Sequence, residues 1–304
     1  MEKGIKYFNG VAESYADKVG LLLESLPYIK EYFNRVVVVK VGGAMMEDEG
    51  MLKSVLEDLV LMKYVGIKVV LVHGGGKQIT RLMEERGIKP CFVDGLRITD
   101  EKVMEIVKMV LVGEVNSKVV SFLNQHGKIA IGISGNDASF ITCKKRQYIK
   151  KGRTIDLGFV GQIVGIDSSF IFGILDKGYM PVIATLGVDV SGKVYNINAD
   201  TCASEIAVAL GAEKLISLTD VDGIISMSGG RKKLVSAITK KMCMDMIDTG
   251  EIDKGMIPKV VACIDALAGG VGRAHILNGN KEHSVLAEIF TDKGIGTMIV
   301  KEDM

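Results

Sequence analysis

The sequence lacks the cysteine patterns of a disulfide-rich protein or of a zinc site. It has five cysteines, an odd number, with no CxxC pair and no histidine at ligand spacing. Disulfide frameworks and structural zinc sites need paired or clustered cysteines. We therefore expect five free thiols, each buried as a small apolar residue, in a reducing cytoplasmic environment.

The sequence also lacks an excess of one charge and any long hydrophobic run. There are 38 Lys and Arg against 37 Asp and Glu, so charge gives no reason to expect a nucleic acid or a membrane surface as partner. No apolar run approaches the roughly 18 residues that a membrane-spanning helix needs. Glu2, Glu13 and Asp17 are unlike a secretory signal peptide. We expect binding to neither nucleic acid nor membrane.

What is present is enough apolar sequence for a large core. Of the 304 residues, 48% are hydrophobic, which suits one large or two ordinary domains. From residue 35 onward, β-branched apolar runs alternate with helical patterns, and residues 143–165 resemble hairpin strands. The predicted strands are 35–41, 67–72, 128–133, 180–184, 214–218 and 273–277, and the clearest predicted helices are 49–64 and 78–86. This alternation predicts an α/β fold with a mainly parallel sheet covered on both faces.

Residues 1–34 differ from the rest of the chain. Apolar residues fall there at three- and four-residue intervals: Val19, Leu22, Leu26, Ile29 and Phe33. The spacing predicts an amphipathic helix, which Pro27 should kink or divide in two. Its apolar stripe either packs on the body of the protein or pairs with a second copy of the chain.

Two glycine clusters follow the first two predicted strands. Residues 41–44 (VGGA) and 73–76 (HGGG) each lead into a helix. Backbone N–H groups beside a helix N-terminus bind anions, and ligands of open α/β sheets bind at the carboxyl ends of the strands. Two such loops side by side would cradle a phosphoryl group, whereas either loop alone is also compatible with a plain turn. Neither cluster fits GxxxxGK[ST] or GxGxxG, which argues against a P-loop and a dinucleotide fingerprint.

Polar residues mark two further strand ends. Residues 195–200 (YNINAD) open a helix, and Asn198 suits its N-cap, but two asparagines and an aspartate exceed what one cap needs. Residues 218–223 (LTDVDG) could hold a ribose or an adenine, or form a turn. Lys40 lies within an apolar strand, where an unpaired charge is costly, so we interpret it as functional. Lys259, after Pro258, would by itself be a surface charge.

Taken together, these segments resemble the amino-acid kinase superfamily and, within it, the acetylglutamate kinase branch. The segments that carry the resemblance are VVVVKVGGAMM, VVLVHGGGKQI, DGLRIT, DLGFVGQIVGID, YNINADTCASEIAVALGAEKL, LTDVDGI, GMIPKV and EIFTDKGIGTMIV. They span nearly the whole chain. The resemblance implies a three-layer αβα sandwich with a mainly parallel central sheet and an N-terminal helical extension. It implies an extension at 1–34, an acetylglutamate-binding and dimerisation lobe at 35–211, and an ATP-binding lobe at 212–304.

The implied activity is ATP-dependent phosphorylation of the γ-carboxylate of N-acetyl-L-glutamate, a step of arginine biosynthesis. Mg²⁺ would be held mainly by the ATP phosphates, with no metal-ligating residues in the protein. Lys40 and Lys259 would be the cations along the phosphoryl path, and Asp200 would hold both. The other matching positions are Gly43, Gly75 and Gly76 as N–H donors, Arg97 and Asn196 for acetylglutamate, and Asp220 and Gly223 for the nucleotide.

The N-terminal helix resembles the extension of the arginine-sensitive members, which join three dimers into a hexamer. His275, Glu288 and Gly294 match their arginine-binding positions, which implies feedback inhibition by L-arginine. Four places depart from the family pattern: Val41, Asn136, Lys254 and residues 278–282, the last near the implied arginine site. None of them touches the implied catalytic residues.

Two alternatives stay open at this stage. The first is a kinase of carrier-protein-linked aminoadipate or glutamate, for which a basic surface would be expected and which the near-zero net charge does not support. The second is a non-catalytic arginine sensor, which the presence of Lys40, Asp200, Lys259 and the loop glycines disfavours.

Overall fold

The computed structural model describes residues 15–43, 45–150, 152–228, 231–291 and 294–301. Its strands, in chain order, are β1 Val36–Val41, β2 Lys68–His73, β3 Phe92–Val93, β4 Leu96–Arg97, β5 Ala130–Ser134, β6 Ile141–Lys145, β7 Tyr148–Lys150, β8 Arg153–Ile155, β9 Gly161–Ile166, β10 Met180–Ala184, β11 Leu186–Val188, β12 Val194–Asn196, β13 Lys214–Thr219, β14 Ile225–Ser228, β15 Arg231–Leu234, β16 Ala237–Thr239, β17 Arg273–Asn278 and β18 Thr297–Val300. All six strands expected from the sequence are present, with ends shifted by no more than two residues.

The α-helices are α1 Tyr15–Glu24, α2 Leu26–Tyr32, α3 Glu49–Tyr64, α4 Gly76–Glu85, α5 Glu101–Lys108, α6 Ser117–Leu123, α7 Ser168–Asp176, α8 Ala199–Ala209, α9 Lys240–Asp248, α10 Ile257–Ala268 and α11 Ser284–Ile289. A π-helix, Met109–Asn116, joins α5 to α6, and short 3₁₀ turns occupy Met45–Glu47, Asn124–His126 and Asp137–Ser139. None of the described helices is long and apolar enough to cross a membrane.

The centre of the fold is an eight-stranded sheet in the order β16-β18-β17-β13-β1-β2-β10-β5. Neighbours from β17 to β5 pair in parallel, and β18 is antiparallel to β17. All six residues of β1 are buried. Val37 and Val39 pack into a core with α3 and α5, whereas Val36 and Val38 pack into a second core with α8 and α10. Because strand side chains alternate between faces, this confirms a sheet covered on both sides.

A smaller sheet has the order β12-β11-β6-β9. Along the chain, its strand β6 follows β5 of the central sheet, and its strand β11 follows β10. Its β6 and β9 pair antiparallel, as expected for hairpin strands in residues 143–165. Two hairpins, β3–β4 and β7–β8, are also antiparallel. The hairpin β3–β4 carries Arg97 at the end of β4, and the smaller sheet carries Asn196 at the end of β12.

The N-terminal extension divides at its proline as expected. α1 ends at Glu24, and α2 begins at Leu26 after the single residue Ser25, with Pro27 in its first turn, where the missing N–H is harmless. α2 is anchored to the body by the buried Tyr32. Leu22 is 73% exposed and Phe33 is 62% exposed. The alternative in which the whole apolar stripe packs on the body of the same chain is therefore wrong.

The cysteines follow the expectation with one exception. All five are free, and Cys143, Cys202, Cys243 and Cys263 are buried. Cys91 is exposed, because it lies in the loop that precedes the short strand β3 rather than in a core element. The expectation that every cysteine is buried is wrong at that position.

Candidate active site

Both glycine loops lie at the carboxyl edge of the central sheet. β1 and β2 are parallel neighbours with Val41 opposite His73, and the Gly74 N–H donates to the Val41 carbonyl (3.1 Å). A Cβ atom on Gly43 would lie only 2.9 Å from the Gly76 nitrogen. The first loop therefore faces the N-terminus of α4 at a distance that only glycine allows. The two loops form one continuous cradle of backbone amides, as the strand order predicts.

A cavity of about 180 Å³ lies beside this cradle. Every residue that lines it falls between positions 40 and 199. It brings together six residues that were singled out from the sequence: Lys40, Gly43, Gly75, Gly76, Arg97 and Asn196. The cavity is small, and its charged lining residues, Lys40 and Arg97, are both cationic. It suits a compact anion.

Lys40 and Asp200 form a buried ion pair at the edge of this cavity. Lys40 Nζ lies 2.7 Å from Asp200 Oδ1, with side chains 5% and 10% exposed. Burial alone would raise the pKa of Asp200, but the charges of Lys40 and Lys259 outweigh it and hold the pKa below its usual range. Asp200 is therefore an anion at neutral pH and fixes the Lys40 ammonium.

The local sequence explains where Asp200 lies. Asn198 is the N-cap of α8, and its Oδ1 accepts from the N–H groups of Asp200 and Thr201, both at 3.0 Å. This places Asp200 in the first helical turn, where the helix dipole favours a negative charge. The cap interpretation of Asn198 is therefore confirmed. Asn196, two residues earlier, lies on β12 and lines the cavity.

Lys259 is on the other side of Asp200. Its Nζ donates to the Gly255 carbonyl (3.4 Å), and its charge lowers the pKa of Asp200. Among the described residues, its ammonium is not within ion-pair distance of any carboxylate. Pro258 lies in the first turn of α10, as expected, so Lys259 projects from a helix N-terminus. Asp200 therefore contacts Lys40 directly and influences Lys259 only through space.

Arg97 is a buried cation held by backbone and hydroxyl oxygens. It is 7% exposed, and its Nη2 donates to the Gly76 carbonyl (2.7 Å) and to Thr80 Oγ1 (2.8 Å). Its guanidinium stacks on the Phe92 ring, with 4.6 Å to the centroid. Burial lowers its pKa. In the described part of the chain no carboxylate pairs with it, so a buried positive charge faces the cavity without an anion.

A second cavity of about 440 Å³ adjoins Lys259 and lies at the carboxyl end of β13. Its lining falls between residues 219 and 259 and includes Asp220 and Gly223. Gly223 has φ of 136°, and a Cβ there would lie 2.5 Å from Thr297 Oγ1, so glycine is required. Asp222 is engaged elsewhere, because its Oδ1 accepts from Asn278 (2.8 Å) and pairs with Lys281 (2.8 Å).

A third cavity of about 500 Å³ shares no lining residue with the other two and contains His275, Glu288 and Gly294. His275 Nδ1 lies 2.7 Å from Glu288 Oε1, and a Cβ on Gly294 would lie 3.1 Å from Glu288 Oε2. Burial lowers the pKa of His275. The pKa of Glu288 is lowered as well, because contacts with His275 and Lys214 outweigh its burial. The structure brings these three residues together.

Sequence reasoning missed several residues that line the cavities. Lys214 and Arg273 begin neighbouring parallel strands, and both line the third cavity. A sequence signal was available for Lys214, because it is a charge at the start of an apolar strand whose residues are all buried. Glu31, which pairs with Arg273 at 3.2 Å, gave no signal, since it lies in α2, far from Arg273 in sequence. Thr185, in the first cavity, directly follows β10.

Comparison with known proteins gives consistent matches. The amino acid kinase family matches residues 35–278. The acetylglutamate kinase of Heliobacterium modesticaldum is 46% identical over 290 residues, which is 94% of this chain and 98% of that protein.

Among solved structures, N-acetylglutamate synthase from Neisseria gonorrhoeae with coenzyme A and N-acetylglutamate superposes with a TM-score of 0.84 at 29% identity, over 96% of this chain and 65% of that chain. The same synthase with coenzyme A and L-arginine gives 0.79 at 29% identity, over 95% of this chain and 66% of that chain.

The buried ion pair yields a stability prediction. Asp200→Ala should lower the free energy of unfolding by about 3–5 kcal/mol at neutral pH, because Lys40 is left buried without a counter-ion. The folded pKa of Asp200 lies below its unfolded value of about 3.9, so the difference from wild type should be full above that pH and shrink as pH falls through the folded pKa. Urea unfolding across this range measures it.

The controls distinguish the effect of breaking the ion pair from the effect of removing a carboxylate elsewhere. Asp176→Ala removes a carboxylate whose pair with Lys68 is largely exposed and should change stability by no more than about 1 kcal/mol. Lys40→Met combined with Asp200→Ala should recover part of the loss. Equal unfolding free energies for wild type and Asp200→Ala at neutral pH would contradict the role of the pair.

Proposed function

The chain belongs to the amino acid kinase family, and within it to the acetylglutamate kinases, and from this premise we propose a role for each residue at the edge of the sheet. The reaction is the phosphorylation of N-acetyl-L-glutamate, a transfer to a carboxyl group in arginine biosynthesis, and as a kinase the protein uses ATP. Neither a carrier-protein-linked substrate nor a non-catalytic sensor fits this assignment as well.

The first cavity is the proposed site of N-acetylglutamate. The observation that carries this is Arg97, a buried guanidinium without an anionic partner among the described residues. Such a charge is costly unless a ligand supplies the anion. We assign it the α-carboxylate of the substrate, bound through the planar guanidinium. Asn196 is assigned the acetylamino group, whose amide N–H and carbonyl match a carboxamide side chain.

Phosphoryl transfer needs positive charge more than it needs a base. The attacking γ-carboxylate is already ionised, so the protein has to bring two anions together and stabilise the charge of the transition state. Lys40 borders the first cavity and Lys259 the second, with Asp200 between them. We propose that the two ammonium groups stabilise the phosphoryl oxygens on either side, and that Asp200 fixes Lys40 by direct contact and attracts Lys259 through space.

The glycine cradle is the proposed source of neutral donors. The N–H groups of Gly43, Gly75 and Gly76 have no acceptor among the described residues. Preorganised backbone donors aimed at developing charge stabilise a transition state without reorganisation. We assign them the oxygens of the migrating phosphoryl group.

The second cavity is the proposed nucleotide site, with Asp220 and Gly223 in its wall. Its lining belongs wholly to residues after 211, whereas that of the first cavity lies before 212. This division supports an acetylglutamate-binding lobe at 35–211 and an ATP-binding lobe at 212–304, joined where β1 pairs with β13.

Mg²⁺ is proposed to enter with ATP. In the described part of the chain no group of three His, Cys, Asp or Glu side chains is placed to hold a metal ion. Mg²⁺ at kinase sites is bound largely by substrate phosphates and water, so it does not need such a group. Its contribution would be neutralisation of phosphate charge. A cytoplasmic location, where ATP is available, also fits the free thiols.

Removing either lysine tests the catalytic roles. Lys40→Ala and Lys259→Ala should each lower turnover by roughly 3 kcal/mol, about 10²-fold, as for loss of one preorganised donor. Hydroxylamine trapping of the acyl phosphate, with ATP and N-acetylglutamate, measures it. Lys68→Ala is the control, since Lys68 lies at the amino end of β2 and pairs with Asp176 on the surface. Turnover of either variant close to that of wild type would refute the role.

The third cavity is the proposed site of L-arginine as feedback inhibitor. Two carboxylates, Glu31 and Glu288, line it and match the guanidinium and ammonium groups of arginine. The synthase from Neisseria gonorrhoeae, with this fold, was solved with L-arginine. The departure at residues 278–282 lies at the end of β17, and Asn278 and Lys281 contact Asp222 rather than this cavity.

Arginine binding can be tested at Glu288. Glu288→Gln should raise the arginine concentration for half-inhibition by about 10-fold or more, because a charge-assisted contact is lost. Hydroxamate formation against arginine concentration measures it, with each variant normalised to its own uninhibited rate. Glu282→Gln, at an exposed position, is the matched control. Identical inhibition curves for wild type and Glu288→Gln would exclude the proposed site.

A homo-oligomer is proposed to cover α1. The exposed leucines of α1 (Leu21, Leu22 and Leu23) and Phe33 after α2 have no partner of the same chain that buries them. A contiguous exposed apolar face marks an interface. We propose that this face meets its copy in another subunit, which would join dimers into a hexamer and link the helices to the third cavity through Tyr28 and Tyr32.

A charge on this face should reduce the size of the assembly. Leu22→Glu places a carboxylate on a residue that is 73% exposed, so the fold of the chain should persist while the contact between helices is lost. Light scattering should then give a smaller mass. Val190→Glu, at a fully exposed apolar residue elsewhere, is the matched control. An unchanged mass for Leu22→Glu would contradict this interface.

A further inference from the structure

His73 is a buried imidazole that has no place in the chemistry assigned so far. It is the last residue of β2, directly before the second glycine loop, and it is fully buried. Its Nδ1 lies 3.1 Å from the Gly74 carbonyl oxygen, and its Nε2 lies 3.0 Å from Asn116 Nδ2. The ring therefore connects the glycine loop to the π-helix.

Asn116 determines which ring nitrogen carries the proton. Its Nδ2 also donates to the Val182 carbonyl (2.9 Å), so the amino group, not the amide oxygen, faces both partners. Of the other two groups near Nδ2, His73 Nε2 (3.0 Å) is closer than the Ile133 carbonyl (3.5 Å), so we direct the second hydrogen at Nε2, which must accept it. The proton of the neutral ring is then on Nδ1, where it donates to the Gly74 carbonyl. Burial lowers the pKa of His73 to about 4, so the ring is neutral at physiological pH.

This bond orients the next peptide group. A trans peptide is planar, so its C=O and N–H point in opposite directions. With the Gly74 carbonyl held against the imidazole, the N–H of Gly75 points away from the ring. Gly75 lines the first cavity, and no described residue accepts from its N–H. The direction of this donor is therefore set by His73.

The π-helix positions Asn116 beside the His73 ring. In the segment Met109–Asn116 the buried residues recur at five-residue steps, Val110 to Val115 and Leu111 to Asn116, which is the π-helical spacing. A Cβ on Gly132 would lie 2.0 Å from Asn116 Oδ1, so Gly132 leaves room for the carboxamide. Leu111 packs against Gly75, where a Cβ would lie 2.7 Å from its Cδ2.

We propose that His73, with its tautomer set by Asn116, is a positioning residue that turns the Gly75 N–H toward the transferring phosphoryl group. The inference rests on the proposed role of the Gly75 amide. If that donor acts on the transition state, a change in its direction lowers kcat and leaves the KM values nearly unchanged.

The tautomer is the first test, and it is read on the wild-type protein, with a substitution used only to assign the signals. Solid-state NMR of the ¹⁵N-histidine-labelled protein, with the four histidines distinguished by a His73→Gln sample, reports which nitrogen is protonated. We expect a neutral ring with the proton on Nδ1. A proton on Nε2, or a charged ring at neutral pH, would overturn the inference and leave the assigned activity untouched.

Asn116→Asp tests the consequence for catalysis. A carboxylate oxygen accepts from His73 Nε2, so a neutral ring carries its one proton on Nε2 and sets the bare Nδ1 against the Gly74 carbonyl. We expect kcat to fall about 10- to 100-fold with both KM values within about twofold of wild type, as for a displaced donor. Gly132→Ala should give the same pattern without a new charge, because it displaces the carboxamide of Asn116.

Asn124→Asp is the matched control. Asn124 links the end of α6 to β5 through bonds to the backbone of Ile129 and Ala130. Asn124→Asp should lower the melting temperature and leave kcat unchanged. Unchanged kcat in folded Asn116→Asp and Gly132→Ala, or losses that follow melting temperature in all three variants, would overturn the inference. Failure of wild type to form hydroxamate would instead overturn the proposed function.

Discussion

The buried ion pair between Lys40 and Asp200 is the interaction on which the site depends. Its lysine comes from the central strand β1 and its carboxylate from the first turn of α8, so the pair joins the sheet to one helical layer. Isolated, either charge would be costly at this depth. Paired, they leave the Lys40 ammonium fixed in the wall of the first cavity, where we propose that it assists the approach of two anions.

Around this pair the site is made largely of backbone. Gly43 and Gly76 meet at a distance that excludes any side chain, and the parallel pairing of β1 with β2 sets that distance. A cradle of amides has no rotamers to lose, but each peptide group must point the right way. The buried contacts of His73 and the packing of Leu111 on Gly75 supply this orientation from the opposite side.

Part of the site could be predicted because its residues violate local rules. Lys40 is a charge in a buried strand, and two glycine clusters at the ends of successive strands are more than one plain turn needs. Arg97 came only from the family resemblance, since a short hairpin leaves no periodic signal, whereas Asn196 belonged to a polar cluster larger than one helix cap needs. Cys91 was expected to be buried and is exposed, because cysteine composition says nothing about loops.

The alternation of strands and helices, the break at Pro27 and the position of the glycine loops can be read from the sequence, because they follow from local periodicity and backbone preference. Which distant residues meet is known only from the folded structure. It brought Glu31 to Arg273, His73 to Asn116 and the exposed face of α1 to the surface. Contacts between residues far apart in the chain depend on strand order and helix packing, which no local pattern encodes.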